Sequence, residues 1–254
     1  MPRLVPIFIL AYLATQLASC GGAQHKRNYE KPEAATILKN LGTKTKHINS
    51  INTSSLMSYW QNGQRLKPRV LVMAQKGSYI RVNAMGLTED VEADLACDGS
   101  SFRYQDFRNN CSLEGTCDRL AVSTLLKMDL TPDEFLLMAV GLSPLIDYTD
   151  SSLEWDGAQQ QERIKLTNKE TMRSQIIELD GTSNHWDLQS SKIYDDSGNL
   201  EWSIENKEFK DTRDENGKLF RAPEKTRFTQ PSTCLLYTSP SPRDATLSRM
   251  PSSA

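Results

Sequence analysis

Between residues 48 and 107 apolar side chains recur at every second position, and short polar turns break the pattern at regular intervals. Residues 48–60, 65–74, 79–84, 91–97 and 102–107 read as extended segments separated by Asn62-Gly63, Lys76-Gly77, Gly86 and Asp98-Gly99. Asn-Gly and Asp-Gly pairs accept the positive φ angles of tight hairpins, so consecutive segments are expected to pair as an antiparallel meander. A second series lies near 153–155, 162–167, 173–179, 185–188, 192–194, 200–207 and 225–228, punctuated by Asp156-Gly157, Asp180-Gly181, Asp196-Ser197-Gly198-Asn199 and Asn216-Gly217. Helical spacing is found in three places. Ala34, Ile37, Leu38 and Leu41 stand at i, i+3, i+4 and i+7 and predict a helix over 32–41 that Gly42 ends. Residues 118–127 carry Leu120, Ala121, Leu125 and Leu126 on one side. Thr131-Pro132-Asp133-Glu134 has capping-box spacing with proline at the first helical position, and opens a helix whose apolar face is Phe135, Leu136, Met138, Ala139 and Leu142. Gly141 and Pro144 end it. The predicted class is mainly β with inserted helices (α+β), and no repeat or linker divides residues 32–233.

Both ends of the chain stand apart from this body. Arg3, an apolar run over 4–13 broken by Pro6, and small residues leading to Leu17-Ala18-Ser19-Cys20 have the layout of an export signal closed by a lipobox. The run is too short to cross a bilayer. An ordinary signal peptide with a chance cysteine is the alternative, but the small residues before Cys20 and Gly21-Gly22 after it favour lipidation, with 1–19 as the signal. Similarity to bacterial lipoproteins implies a diacylglyceryl thioether on Cys20 and a third chain, palmitate, on its amine. Each buried methylene contributes about 0.8 kcal/mol, and two or more chains hold stably where one does not. Residues 20–31 then form a flexible tether that reaches about 35 Å at roughly 3.3 Å per residue. Gly21 is not the aspartate that commonly retains lipoproteins at the inner membrane, so the outer membrane, facing the periplasm, is expected. At the other end, residues 234–254 resemble a translated sequencing adapter. They are taken as non-native, with the natural chain continuing past Thr233 into a C-terminal strand of its own.

The formal net charge is −2, and trimming the ends makes it slightly more negative. That argues against nucleic acid, whose binding needs clustered cations. Of the 5 cysteines, Cys20 belongs to lipid and Cys234 to the tail, leaving Cys97, Cys111 and Cys117 in an oxidising compartment. Cys111 and Cys117 flank Ser-Leu-Glu-Gly-Thr, read as a loop that Gly115 lets bend back, and a Cys111–Cys117 disulfide is the expected pairing. A metal there lacks a fourth ligand and any nearby His. Cys97 ends the alternation Val91, Ala93, Leu95 and is expected to face the core. No enzyme is expected. His25, His47 and His185 are not at metal spacing, no nucleophile elbow or phosphate loop is present, and Glu89-Asp90 and Asp195-Asp196 read as solvated turns. The four tryptophans sit mostly on strands, where aromatic residues are usually core. No cofactor or metal is implied.

Two stretches carry a family resemblance. Asn83-Ala84-Met85-Gly86-Leu87-Thr88-Glu89, running into the Val91 segment and the Asp98-Gly99 turn, is similar to the Asn-Pro-Leu-Gly-Ser-Thr-Glu loop of the LolA/LolB-like family of lipoprotein carriers. Leu130 to Phe135 and then Val140-Gly141-Leu142-Ser143-Pro144 resemble the helix and Leu-Gly-Leu-Pro ending of the same family. The resemblance implies a curved antiparallel half-barrel with a helical lid over an apolar cavity for acyl chains or lipoproteins, in a protein expected to be monomeric. It makes Met85, with Leu87, the candidate membrane-insertion loop, although the family's proline is Ala84 here. The Cys111 to Cys117 stretch has no counterpart in the family. Candidate cavity residues are Val70, Val72, Ile80, Val82, Leu136 and Met138, each of which also fits plain core packing. The rival function is an outer-membrane lipoprotein that serves as a protein-binding or assembly scaffold.

Overall fold

A computed structural model describes residues 25–61, 64–86, 88–182, 185–213, 219–231 and 233–238. Among them are α1 (Ala34–His47), β1 (Ser50–Gln61), β2 (Gln64–Leu66), β3 (Arg69–Gln75), β4 (Tyr79–Met85), β5 (Val91–Asp98), β6 (Ser101–Asp106) and β7 (Cys111–Thr116). There follow α2 (Arg119–Leu125), α3 (Pro132–Ala139), β8 (Asp150–Asp156), β9 (Gln161–Thr167), β10 (Ser174–Asp180), β11 (Asp187–Tyr194), β12 (Leu200–Arg213), β13 (Leu219–Gln230) and β14 (Thr233–Thr238). The strands form an open antiparallel sheet in the order β7-β6-β5-β4-β3-β1-β14-β13-β12-β11-β10-β9-β8, with β2 folded back on β1. Each half is a six-stranded meander, and β14 joins them.

Hairpin chemistry accounts for much of this path. Gly77, Gly99 and Gly198 have φ of 92°, 98° and 81°, the left-handed region that glycine enters without a Cβ penalty. The turns at Asn62-Gly63 and Asn216-Gly217 lie outside the described residues. Alternation then puts one face of the sheet inward: Val70, Val72 and Ala74 of β3, Ile80 and Val82 of β4, Ile164 and Leu166 of β9, and Ile177 and Leu179 of β10 are all buried. Ile37, Leu38 and Leu41 of α1, Val122 of α2 and Phe135, Leu136 and Met138 of α3 join them in one apolar cluster. α3 touches β3 in one half and β13 in the other, so it lies across the seam that β14 fills.

The start of α3 follows its sequence signal closely, whereas α2 turns Ala121 and Val122 inward and leaves Leu120 71% exposed, correcting the face of Leu120, Ala121, Leu125 and Leu126 read from the sequence. Thr131 Oγ1 accepts from Glu134 N at 3.2 Å while Glu134 Oε2 accepts from Thr131 N at 2.7 Å, a complete capping box with Pro132 in the first turn. Gly141 ends this segment at φ 74°. A Cβ there would stand 2.2 Å from Pro223, so only glycine allows the chain to lie against β13. Gly42, by contrast, does not stop α1, which continues to His47. The last turn carries Lys44, Lys46 and His47, favourable at a helix C-terminus, and Lys76 Nζ donates to the carbonyls of Thr45 and Lys46, both at 3.0 Å. Those contacts offset the roughly 1 kcal/mol that glycine costs inside a helix.

The expected disulfide is corrected by the structure: Cys97 pairs with Cys117, and Cys111 is free and exposed. Ser112 to Thr116 is not a loop but most of β7, paired to β6 with Gly115 opposite Phe102. An extended strand holds Cys111 and Cys117 about 20 Å apart, beyond any disulfide. Cys117 instead reaches the end of β5, where its N–H donates to Ser100 O at 2.9 Å and its Cα lies 5.8 Å from that of Cys97. Cys97 is buried, as its place in the alternation predicts.

β14 fills the slot between β1 and β13, pairing Tyr59 with Leu235 and Phe228 with Leu235. Residues 234–238, read from sequence as foreign to the natural chain, supply most of it. Facing strand edges accept any extended segment, so the slot marks a place for a strand without bearing on the origin of these residues.

The disulfide closes a 20-residue separation and is expected to contribute about 3 kcal/mol. Urea unfolding of Cys97→Ala/Cys117→Ala should show a loss of about 2–4 kcal/mol, whereas Cys111→Ala should leave the midpoint unchanged.

Candidate functional site

All six interior candidates are buried: Val70, Val72, Ile80 and Val82 on the sheet and Leu136 and Met138 on α3. They belong to one continuous apolar cluster between sheet and helices. A cavity of about 10 Å³ lies in this layer, bounded by Leu41 of α1, by Leu142, Ser143 and Leu145 beyond α3, and by Ile177 and Leu188 of the sheet. That volume holds no more than a water. None of the six candidates lines it.

Buried polar side chains fasten the chain after α3 to the sheet beside this cavity. Gln175, fully buried on β10, donates through Nε2 to Pro144 O and Ser191 Oγ, both at 2.9 Å, and accepts from Ile146 N at 3.0 Å. Asn206 on β12 donates to Gly141 O at 2.7 Å and Leu188 O at 2.8 Å, and its Oδ1 accepts from Thr226 Oγ1 at 2.8 Å. Each amide is almost fully satisfied, which makes these contacts geometrically specific.

Met85 is half-buried at the end of β4, while Leu87 lies outside the described residues. The loop between β4 and β5 closes on itself: Gly86 N donates to Asp90 O at 2.8 Å, Thr88 Oγ1 donates to Asp90 Oδ2 at 2.7 Å, and Arg69 pairs with Glu89 at 3.0 Å. Register places Leu56, Arg69, Met85 and Val91 side by side across four strands. Directly paired residues share a face, and this one points away from the core, with Leu56 49% and Val91 38% exposed. Sequence reasoning singled out Met85 and missed its two apolar neighbours. Parity against the inward Val70 and Val72 would have found Leu56.

The N-terminal segment departs most from expectation. Residues 20–31 read as a free tether, yet the chain is docked from His25 onward. His25 N donates to Gly157 O at 2.9 Å, and Trp155 Nε1 donates to His25 O at 2.8 Å. The Arg27 guanidinium forms a forked pair with Glu162 and lies 5.2 Å over the Trp155 ring. Tyr29 donates its hydroxyl to Glu162 at 3.1 Å and sets its ring edge-on to Trp155 and Trp186, both at 6.0 Å. Gly181 makes room for Tyr29 and Trp186, since a Cβ there would lie 2.6 Å from the Tyr29 hydroxyl and from the Trp186 ring. Glu162 is 0% exposed, and among the described residues its carboxylate is answered by Arg27 and Tyr29 alone. Burial, followed by the nearby carboxylate, pushes the Tyr29 hydroxyl far above its ordinary range, so it remains a donor. The physical reason for the docking is this buried charge, which only the strap neutralises. Cys20, the expected lipid attachment, lies outside the described residues.

Removing one partner of such a pair is costly, while removing both is not. In urea unfolding, Arg27→Met is expected to lose about 3–5 kcal/mol, and Arg27→Met/Glu162→Met to recover most of it.

No family model matches the sequence, and no curated protein matches it. Solved structures do. An outer membrane lipoprotein-sorting protein domain from Vibrio parahaemolyticus superposes with a TM-score of 0.53 at 8% identity, covering 83% of this chain and 90% of that one. A LolA superfamily protein from Nitrosomonas europaea gives 0.51 at 11%, over 87% and 96%. A DUF1329 family protein from Desulfovibrio piger gives 0.52 at 9%, over 82% and 92%. At such identities the likeness speaks for architecture alone, and the open antiparallel sheet with few helices carries it: this chain has a LolA-like fold.

Proposed function

We propose that the protein is an envelope lipoprotein, held at the periplasmic face of the outer membrane by lipid on Cys20, that takes acyl chains or lipoproteins between its sheet and helices. The single observation that carries this reading is the LolA-like fold, in which helix side chains share one apolar cluster with the inward face of the sheet. The work is transfer between two apolar environments, with no covalent bond made or broken. An acyl chain of about sixteen carbons costs on the order of 10 kcal/mol in water, so it must be shielded throughout.

The cavity beside Leu41 and Leu142 is water-sized, so in this reading cargo enters when α1 and α3 part from the sheet as a lid. The void already lies between the helix layer and Ile177 and Leu188, which makes it the natural place for that parting to begin. The outward strip of Leu56, Met85 and Val91 would meet the acceptor bilayer or the cargo, with Met85 as its flexible member.

A scaffold that binds another envelope protein is the second reading. The Gln175 and Asn206 clamps, which fasten the chain after α3 to the sheet, favour it. Cargo separates the two.

Soluble Cys20→Ala protein should carry acylated ligand detectable by mass spectrometry, and should bind a fluorescent fatty acid. Absence of both would favour the scaffold. Met85→Glu should slow transfer of acylated cargo to liposomes while leaving the urea midpoint unchanged, and an unaltered transfer rate would remove Met85 from the site.

A further inference from the structure

We infer that acyl chains reach the interior through the open edge of the sheet at β7, along one cross-strand row of the inward face whose outermost member is Leu113. The inference rests on the acyl-binding reading proposed above and adds where the chain enters.

Register defines the row. Val72 of β3 pairs with Val82 of β4, Val82 with Leu95 of β5, Leu95 with Tyr104 of β6, and Tyr104 with Leu113 of β7. Directly paired residues share a face, so these five side chains form one line from the core to the last strand of the sheet. Cover thins along it: Val72, Val82 and Leu95 are buried, Tyr104 is half-buried, and Leu113 is 46% exposed. Four strand spacings of about 4.8 Å make the line about 19 Å long. Its inner members, Val72 and Val82, are two of the candidate cavity residues, so the line leads from solvent to the place that the proposed function gives the cargo.

The chemistry of the two faces selects an uncharged, narrow occupant. Charged pairs stand on the outward face of these strands, Arg103 with Glu114 at 2.8 Å and Arg81 with Asp94 at 3.2 Å. The inward line carries no charge. On one side it is bounded by Phe102, which lies against Gly115 so closely that a Cβ there would stand 2.8 Å from the ring. On the other side is Asp106, whose carboxylate accepts from Asn109 N at 2.9 Å and from Asn109 Nδ2 at 2.8 Å in the β6–β7 turn. A track one side chain wide matches a hydrocarbon chain and is too narrow for a helix, which is about 10 Å across. Parting of α1 and α3 from the sheet gives the chain room inside, and the β7 edge is where its end is first taken up. The strip of Leu56, Met85 and Val91 lies on the opposite face and keeps its separate role toward the bilayer or the cargo.

Stopped-flow uptake of cis-parinaric acid, a fluorescent fatty acid, by the full soluble chain with Cys20→Ala tests the route. Leu113→Gln places a polar group at the mouth of the row without repelling the carboxylate of the probe. It is expected to slow association at least threefold with the urea midpoint unchanged, and Leu113→Ala to slow it less. Ser112→Gln, an exposed position on the opposite face of the same strand, is expected to leave the rate as it was. An unaltered rate in Leu113→Gln overturns the route while leaving acyl binding intact, and a change in its sedimentation would then mark β7 as an edge where a second copy pairs. Equal slowing in Ser112→Gln also overturns the route, because the effect would belong to the strand and not to the row. Failure of the Cys20→Ala protein itself to take up the probe overturns acyl binding and this inference together.

Discussion

One apolar layer, shared between the inward face of the sheet and three amphipathic helices, is the constraint on which the rest of the molecule depends. Among the described residues the two six-stranded halves are joined through β14 and through this layer. α3 reaches β3 and β13 across the seam, and Phe135 and Leu136 are almost completely buried there. The helices therefore pack on the interior and on the seam at once. A transport cycle would use that coupling, and a scaffold would have to resist it.

Polar contacts decide where the layer is fastened and where it is not. Gln175 and Asn206 secure the chain that follows α3, and Gly141 permits its close approach to Pro223. On β9, the strand next to β10, a buried carboxylate, Glu162, draws the N-terminal strap onto the sheet. Between these fixed points α1 is held mainly by Ile37, Leu38 and Leu41 and by lysines at its C-terminus.

Much of the architecture was legible in the sequence because its signals are local. Gly77, Gly99 and Gly198 mark turns that need positive φ, and Thr131 to Glu134 spell a helix start in four residues. What escaped notice depends on partners distant in sequence. β7 has every residue exposed and no inward alternation, and it is a strand only because β6 offers it a backbone edge. Reading it as a loop led directly to the wrong cysteine pair. The docked strap is polar and aperiodic, so nothing within it predicts order. The available signal was Glu162, which shares the inward parity of Ile164 and Leu166, since a carboxylate on a core face requires a cationic partner from somewhere. The interior candidates were placed correctly on the core face, but periodicity cannot distinguish a lining from a filling.

Native-state hydrogen exchange measures most directly whether helices and sheet form separable layers. The account predicts that amides of α1 and α3 exchange through openings of lower free energy than those of β10, β11 and β12. Helix amides protected to the same global level as the sheet would contradict it, because the interior would then open only when the whole protein unfolds.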